Sequence, residues 1–255
     1  MRVGLLLSYD GTDFSGWQRQ GEKRCVQTVL EEAAERIFSA PVKITASGRT
    51  DAGVHALGQV AVFDAETNIP PDRITFCFNR LLPKDVRVLK SGEVPRSFDI
   101  TREAKRKTYR YLAYFSPVEQ PLLERYATLL PKEASVERMQ NALRLILGEH
   151  DFKAFRAANY TSKTSVRRIT EASVTEHVAP FGKVYALEVT GNGFLYHMVR
   201  ILAGEIFAVG MGKEEKIGEA LQTGERKVLS KTMPAKGLTM VKAEFGAPLF
   251  EAPKE

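Results

Sequence analysis

The chain has 255 residues, with 37 lysines and arginines against 31 aspartates and glutamates, which gives a formal net charge of +6 at pH 7. This length allows one large domain or two of about 125 residues, either of which can bury a core. The longest apolar stretches, such as residues 4–7 and 201–203, are far shorter than the ~20 residues of a membrane span. We therefore expect no membrane-spanning helix.

The apolar start of the chain runs directly into the polar segment 10–13 and is too short for a signal peptide. We expect it to form the first strand of a cytoplasmic protein. Cys25 and Cys77 lie far apart in the sequence, in no CxxC motif and in segments with helical periodicity. This pattern predicts buried free thiols rather than a disulfide or a metal site.

Hydrophobic periodicity predicts the order β-α-β-β-α-β in the first part of the chain. These elements are strands over residues 3–9, 42–46, 59–63 and 86–89, and helices around residues 26–37 and 74–81. The same order then repeats. The second set has strands over residues 108–115, 169–174, 184–189 and 238–245, and helices around residues 136–146 and 198–209.

This repeat predicts an α+β fold of two ferredoxin-like (RRM-like) βαββαβ units. Their antiparallel sheets would form a central cleft, with the helices on the outer face. The polar stretch 102–104 predicts the boundary, which gives domains 1–103 and 104–255. Sheet surfaces of this topology commonly bind single-stranded RNA, so a tandem RNA-binding module without chemistry is an alternative to an enzyme.

Residues 48–56, Gly-Arg-Thr-Asp-Ala-Gly-Val-His-Ala, place a single carboxylate, Asp51, between two glycines. Gly48 and Gly53 permit backbone angles and close approaches that a Cβ forbids, which predicts a rigid loop that presents side chains to a large partner. The simpler interpretation is a hairpin whose aspartate bonds its own turn. Arg49, two residues before Asp51, favours a functional loop.

Two clusters of cations interleaved with aromatic residues favour RNA as a partner. Residues 152–170 hold no acid and five cations, Lys153, Arg156, Lys163, Arg167 and Arg168. The second cluster includes Arg110, between two tyrosines. Cations neutralise phosphates and aromatic rings stack on bases, although either cluster alone also fits a solvated surface.

The loop at 48–56 resembles the catalytic loop of the tRNA pseudouridine synthase A family position for position. Segments 9–20, 107–111 (Lys-Thr-Tyr-Arg-Tyr) and 191–200 resemble further motifs of this family, in the same order and at matching separations. The sequence departs from the family pattern at position 101, three residues after Phe98. Many relatives have an arginine there, whereas this chain has Thr101 followed by Arg102.

The resemblance implies an enzyme that isomerises uridine to pseudouridine at positions 38, 39 and 40 of the anticodon stem-loop of tRNA. It implies no cofactor and no metal, and a homodimer that holds the tRNA. Asp51 matches the catalytic nucleophile, which attacks either C1′ or C6 of the uridine. Tyr109 matches the tyrosine that packs against the base and is a candidate for removing the C5 proton. Arg200 matches the arginine that we pair with the aspartate.

Each assignment has a simpler alternative. Arg49 either stacks in the space that a flipped uridine leaves or contacts a phosphate. Tyr109 also fits half-buried sheet packing, and Arg200 also fits a cation on a helix surface. The histidines form no HExxH motif and no zinc-ligand spacing with cysteine. Asp10 and Asp13 fit a turn better than a metal loop.

Overall fold

The computed structural model describes residues 1–157 and 164–249 of the chain. These divide into two compact units, of which unit 1 is Met1–Arg106 joined by the chain from Met240 on, and unit 2 is Lys107–Thr239. No helix in the described part of the chain is both long enough and apolar enough to cross a membrane.

Unit 1 contains an antiparallel sheet and two main helices. Its elements are β1 (Arg2–Tyr9), α1 (Val26–Phe38), β2 (Thr45–Ala46), β3 (His55–Asp64), α2 (Ile74–Leu81), β4 (Val86–Glu93) and α3 (Ile100–Glu103). β1 lies between β4 and β3, and β2 pairs with β3. Val3, Leu5 and Leu7 of β1 are fully buried, as the period of two along a strand requires when one face packs on a core.

Three phenylalanines anchor the helices of unit 1 to its sheet. Phe38 of α1, Phe63 of β3 and Phe78 of α2 pack ring to ring, with centroid distances of 5.5, 6.4 and 5.9 Å. Full burial of one such ring stabilises the folded state by about 1.5–3 kcal/mol. A second buried cluster consists of Val60, Val62, Val94 and Ile100. Both faces of β3 are therefore covered.

Unit 2 repeats the combination of antiparallel strands and helices. Its elements are β5 (Ala104–Phe115), β6 (Thr128–Leu129), α4 (Val136–Arg144), β7 (Gly148–Asp151), β8 (Val166–Ala179), β9 (Gly182–Gly191), α5 (Met198–Gly210) and α6 (Ile217–Thr223), followed by β10 (Leu238–Phe245). The strand order is β5-β9-β8-β7, and β6 pairs in parallel with β5. From Met240 on, β10 belongs to unit 1, where it lies beside β3.

Aromatic packing fixes α5 against the sheet of unit 2. The ring of Phe207 lies 6.0 Å from that of Tyr111 on β5 and 6.4 Å from that of Tyr185 on β9, measured between centroids. All three side chains are fully buried. The first turn of α5, which carries Arg200, is thereby held at a fixed place in the unit.

Most elements follow the hydrophobic periodicity of the sequence. The predicted helix over 74–81 and the strand over 238–245 are confirmed with the same bounds. The predicted strand over 42–46 is wrong for its first half, because only Thr45–Ala46 pair. Ile44 N–H instead donates to the Glu31 carboxylate at 3.1 Å, so this segment joins no ladder before Thr45.

Both cysteines are free thiols, as predicted. Cys25 is buried directly before α1. Cys77 lies on α2 and is only partly buried, so the prediction of a buried thiol is wrong there. Helical spacing alone does not distinguish the core side of a short helix from its boundary.

Candidate active site

Asp51 lies in the loop between β2 and β3 of unit 1, with its side chain partly buried. Val54 N–H donates to the Asp51 carbonyl at 3.1 Å, which closes a tight turn. Gly53 has a φ of 77°, a left-handed conformation that favours glycine. Gly48 has no positive φ, so the expectation of a special backbone angle is confirmed for Gly53 and wrong for Gly48.

The segment before α1 braces this loop from one side. Trp17 N–H donates to the Thr50 carbonyl at 3.0 Å, and Gly53 N–H donates to the Phe14 carbonyl at 3.2 Å. Gly16, at a φ of 93°, lies so close that a Cβ there would be 2.7 Å from the Thr50 carbonyl oxygen. The backbone on both sides of Asp51 is therefore fixed by bonds to a second segment.

A buried polar network supports the same loop from below. The Tyr9 hydroxyl and Thr50 Oγ1 are hydrogen-bonded at 2.8 Å. Gln59 accepts from Ser47 Oγ at 2.8 Å and donates to the Gly48 carbonyl at 2.8 Å. Burial raises the pKa of Tyr9 to about 12, against the opposing hydrogen bonds from Thr50 and Gln59. The network stays neutral and satisfied, which is the condition for a rigid buried polar cluster.

Gln59 was not singled out from the sequence. The sequence signal for Gln59 is a polar residue within an otherwise mostly apolar strand. The structure adds that its side chain is completely buried. A buried amide in such a strand must find hydrogen-bond partners, and the Gly48 carbonyl and the Ser47 hydroxyl are those partners.

The turn at residues 10–13 has no metal-loop geometry. Asp10 Oδ1 accepts from Thr12 N–H at 3.0 Å and from Thr12 Oγ1 at 2.6 Å, which confirms the turn interpretation for Asp10. His55 Nδ1 accepts from Gly11 N–H at 3.0 Å. Nowhere in residues 1–157 and 164–249 do three or more His, Cys, Asp or Glu side chains form a group that could hold a metal ion.

Arg49 is exposed and lies two residues before Asp51. It lines a groove of about 450 Å³ in unit 1 together with Trp17, Lys43 and Thr101. Thr101 N–H and Oγ1 donate to Asp99 Oδ1 at 2.9 and 2.7 Å. Asp99 therefore caps the start of α3, and the threonine at position 101 adds a hydrogen bond from its hydroxyl to this cap.

In unit 2, Tyr109 lies on β5 opposite Val189 of β9. The residue is 8% exposed, and its ring packs edge to face on Phe194, with the centroids 5.1 Å apart. Tyr111, two residues further on, is completely buried. Its hydroxyl is hydrogen-bonded to Thr128 Oγ1 at 2.7 Å and donates to the Pro234 carbonyl at 2.8 Å. Tyr111 is therefore part of the core of unit 2.

Arg200 lies in the first turn of α5 and is partly buried. Its Nε donates to the Met233 carbonyl at 2.8 Å, and Met233 N–H donates back to the Arg200 carbonyl at 3.2 Å. Burial raises the pKa of the Tyr111 phenol, and the charge of Arg200 partly opposes this shift. Arg200 is thus anchored to a neighbouring segment of its own unit.

Two predicted RNA-binding arginines, Arg167 and Arg168, lie near the start of β8. Arg167 donates through Nη1 to the carbonyls of Thr164 and Val166 at 3.1 and 2.6 Å. The Arg168 backbone is fixed by Asn192, whose Oδ1 accepts from Arg168 N–H at 3.0 Å and whose own N–H donates to the Arg168 carbonyl at 3.0 Å. The motif at 191–200 therefore positions the start of β8.

The other predicted RNA-binding residues of unit 2 have different surroundings. Arg110 forms an ion pair with Glu188 on the neighbouring strand, with N–O distances of 2.7 and 2.6 Å, so part of its charge is already neutralised. Lys153 is exposed and Arg156 is partly buried. Lys163 lies outside the described residues.

A family model described as tRNA pseudouridine synthase matches residues 6–101 and 142–246 of this chain. The chain belongs to this family. The sequence-based assignment is thereby confirmed.

Relatives of full length agree with this assignment. The chain is 40% identical over 245 residues to the tRNA pseudouridine synthase A of Acetivibrio thermocellus, an alignment that covers 95% of this chain and 99% of the relative. It is 40% identical over 252 residues to the enzyme of the same name from Shouchella clausii, covering 98% and 95% of the two chains. A chain in the crystal structure of a Cbf5-Nop10-Gar1 complex is similar at 12% identity and a TM-score of 0.34, over 94% of this chain and 58% of that one.

Proposed function

We propose that this protein isomerises uridine to pseudouridine in the anticodon stem-loop of tRNA, at positions 38, 39 and 40, with Asp51 as the nucleophile. One observation carries the proposal: Asp51 lies in a turn that is braced by Trp17 and Phe14 and supported by a buried network, in a chain of the tRNA pseudouridine synthase family. A carboxylate that must attack one atom of a large substrate needs such preorganisation, because misplacement by ~1 Å can cost roughly 100-fold in rate.

The reaction is an isomerisation, so it consumes no second reactant. The Asp51 carboxylate attacks C1′ or C6 of the uridine, and the C1′–N1 bond breaks with its electron pair left on the uracil. The uracil turns, C5 bonds to C1′, and the bond to Asp51 breaks. A base then takes the C5 proton while N1 takes up a proton, and the base returns to its starting protonation state. Product and substrate have the same atoms, and the enzyme is restored.

Tyr109 and Arg200 are the proposed further catalytic residues. The buried ring of Tyr109, fixed by Phe194, supplies an apolar surface for the uracil, and its hydroxyl is the candidate base for the C5 proton. Arg200 is proposed to pair with the Asp51 carboxylate. A nearby cation favours the ionised carboxylate, which is the nucleophilic form.

The remaining predicted residues are proposed to bind RNA. Arg49, exposed beside the Asp51 turn, is proposed to fill the space that the flipped uridine leaves, since extrusion of a base costs a few kcal/mol. The others are proposed phosphate contacts: Arg110, Lys153, Arg156, Lys163, Arg167 and Arg168. For Arg168 the exposed position on β8 supports this role. An ion pair competes with phosphate binding at both arginines, from Glu188 at Arg110 and from Glu149, 3.6 Å away, at Arg168.

We also propose that the protein is a cytoplasmic homodimer. We propose that its chain divides into the domains 1–103 and 104–255, each a ferredoxin-like unit, with a cleft lined by the sheets. The strand order β4-β1-β3-β2 of unit 1 and the order β5-β9-β8 of unit 2 support the ferredoxin-like description.

The decisive experiment is incubation of purified protein with an unmodified tRNA transcript that carries uridine at positions 38, 39 and 40, followed by mapping of pseudouridine. We expect conversion at these positions and none in a transcript with cytidine there. Pseudouridine elsewhere would overturn the proposed positions. Tight tRNA binding without any product would instead support the RNA-binding module without chemistry.

A further inference from the structure

Residues 229–233, which we term the strap, lie along α5 and contact it at three residues, Arg200, Gly204 and Glu205. Met233 exchanges hydrogen bonds with Arg200, as described above. At Gly204, one turn further along the helix, a Cβ would be 2.1 Å from the Lys231 carbonyl oxygen. At the next residue, Glu205, the carboxylate Oε2 accepts from Ser230 N–H at 2.7 Å. The strap therefore runs antiparallel to the helix that carries Arg200.

Glu205 is unusual because it is an acid that is completely buried in an otherwise mostly apolar helix. Burying a carboxylate is costly unless hydrogen bonds and a counter-charge satisfy it, and an apolar residue of similar size often serves stability as well. Lys213 supplies the counter-charge, with its Nζ 3.5 Å from Glu205 Oε2 and 2.8 Å from Ser230 Oγ. Glu205 Oε1 has no hydrogen-bond partner within the described chain. Stability alone is thus a poor explanation for an acid at this position.

The strap has a second clamp on its outer side. Arg226 donates to the Leu229 carbonyl at 3.3 Å and to Thr232 Oγ1 at 3.1 Å. Burial lowers the pKa of Arg226, and the nearby charge of Glu205 opposes this shift. Glu205 thus supports the strap directly through Ser230, and its negative charge lies near the arginine that holds the strap.

We propose that Glu205 is a positioning residue for Arg200: it fixes Ser230 and hence the strap, and the Met233 carbonyl at the far end of the strap sets the orientation of the Arg200 guanidinium. A guanidinium is planar, so a bond from its Nε fixes the plane in which the terminal nitrogens point. This inference rests on the proposed function, because that function gives Arg200 its catalytic role. Glu205 itself contacts no reacting atom.

The test compares Glu205→Ala with Glu205→Gln, because the glutamine retains an oxygen that can accept from Ser230 N–H. We expect Glu205→Ala to lower kcat by about tenfold, less than the roughly 100-fold that ~1 Å of misplacement can cost, because the effect is indirect. KM for tRNA should change less than about twofold. Glu205→Gln should keep most of the activity. Glu219→Ala, at an exposed acid on α6, is the matched control and should behave as wild type.

Two further measurements separate positioning from general stability. Gly204→Ala should displace the strap sterically and reproduce the fall in kcat without any change of charge. Amide hydrogen exchange should become faster at Ser230 and Met233 in Glu205→Ala, at a temperature well below its Tm. If Glu205→Ala lowers Tm but leaves kcat unchanged, or if KM rises instead of kcat falling, the positioning role is wrong.

The wild-type protein distinguishes failure of this inference from failure of the proposed function. An active wild type with an equally active Glu205→Ala variant overturns the positioning role alone. A wild type that forms no pseudouridine in tRNA overturns the proposed function and this inference with it.

Discussion

At the scale of single residues, the proposed chemistry depends on one carboxylate, Asp51, whose flanking backbone is hydrogen-bonded to a different segment. Thr50 and Gly53, on either side of Asp51, are bonded to Trp17 and Phe14. The geometry of the loop thus depends on backbone groups, and a change of the Asp51 side chain alone should leave it intact.

We expect Asp51→Asn to abolish turnover and to leave Tm and tRNA affinity close to wild type. The amide has the shape of the carboxylate but is a far poorer nucleophile. Pseudouridine formation is measured by mapping after long incubation, affinity by filter binding, and folding by thermal unfolding. Activity within about tenfold of wild type would show that Asp51 is not the nucleophile, since loss of a covalent nucleophile costs far more.

Tyr9 should make stability depend on pH in the alkaline range. Its pKa is about 12 in the folded protein, against about 10 in an unfolded chain. Below pH ~10 the phenol is neutral in both states and adds no pH dependence. Between pH ~10 and ~12 only the unfolded chain ionises, so this residue lowers the free energy of unfolding by about 1.4 kcal/mol per pH unit.

Tyr9→Phe should be less stable than wild type near neutral pH, because the substitution removes the hydrogen bond to Thr50. Because it also removes the ionisable phenol, the variant should lose less stability than wild type between pH ~9 and ~11. Denaturant unfolding of both proteins across this range measures the difference. An identical alkaline slope in the two proteins would contradict the raised pKa.

At the scale of elements, the start of β8 combines a fixed backbone with cationic side chains. The Arg168 backbone N–H donates to Asn192 Oδ1, and the Asn192 backbone N–H donates to the Arg168 carbonyl. Phe194, in the same motif as Asn192, packs on Tyr109. The segment that positions these arginines thus also contacts a proposed catalytic residue of unit 2.

The double substitution Arg167→Ala with Arg168→Ala should weaken tRNA binding and reduce the log-log salt slope by about one unit for each phosphate that is no longer neutralised. Turnover at saturating tRNA should change much less. Arg73→Ala with Arg80→Ala removes the same charge from exposed positions of unit 1 and serves as the control. An unchanged salt slope in the β8 variant would show that the two arginines are solvated surface residues that do not bind phosphate. A large fall in turnover at saturating tRNA would instead indicate that they take part in catalysis.

At the scale of the whole molecule, net charge and side-chain chemistry fit an isomerase acting on RNA. The charge of +6 permits a polyanionic partner without requiring one, and the clustering of the cations argues for it more strongly. The proposed catalytic residues are an acid, a tyrosine and an arginine, and the proposed isomerisation involves no net oxidation.

We expect exhaustive chelation to leave the rate unchanged on a minimal stem-loop substrate that folds without magnesium. The residues described by the structure form no group of three or more metal-ligating side chains. The measurement is pseudouridine formation before and after chelator treatment, with metal analysis of the protein. A stoichiometric metal whose removal stops turnover would contradict this expectation.

The sequence by itself determined the local elements and the family. Helical and alternating periodicity report which side of a segment is apolar, so the helix over 74–81 and the strand over 238–245 were predictable. The motif around Asp51 is a continuous run of residues, so its assignment needed no tertiary information.

Only the tertiary structure decided which distant groups meet. Arg110 is paired with Glu188 because β5 and β9 align across 78 positions of the chain, and β10 joins unit 1 although it follows unit 2. Glu205 is tied to Ser230, 25 positions away. Such contacts arise from strand pairing and helix packing over long separations, which periodicity within a short window does not contain.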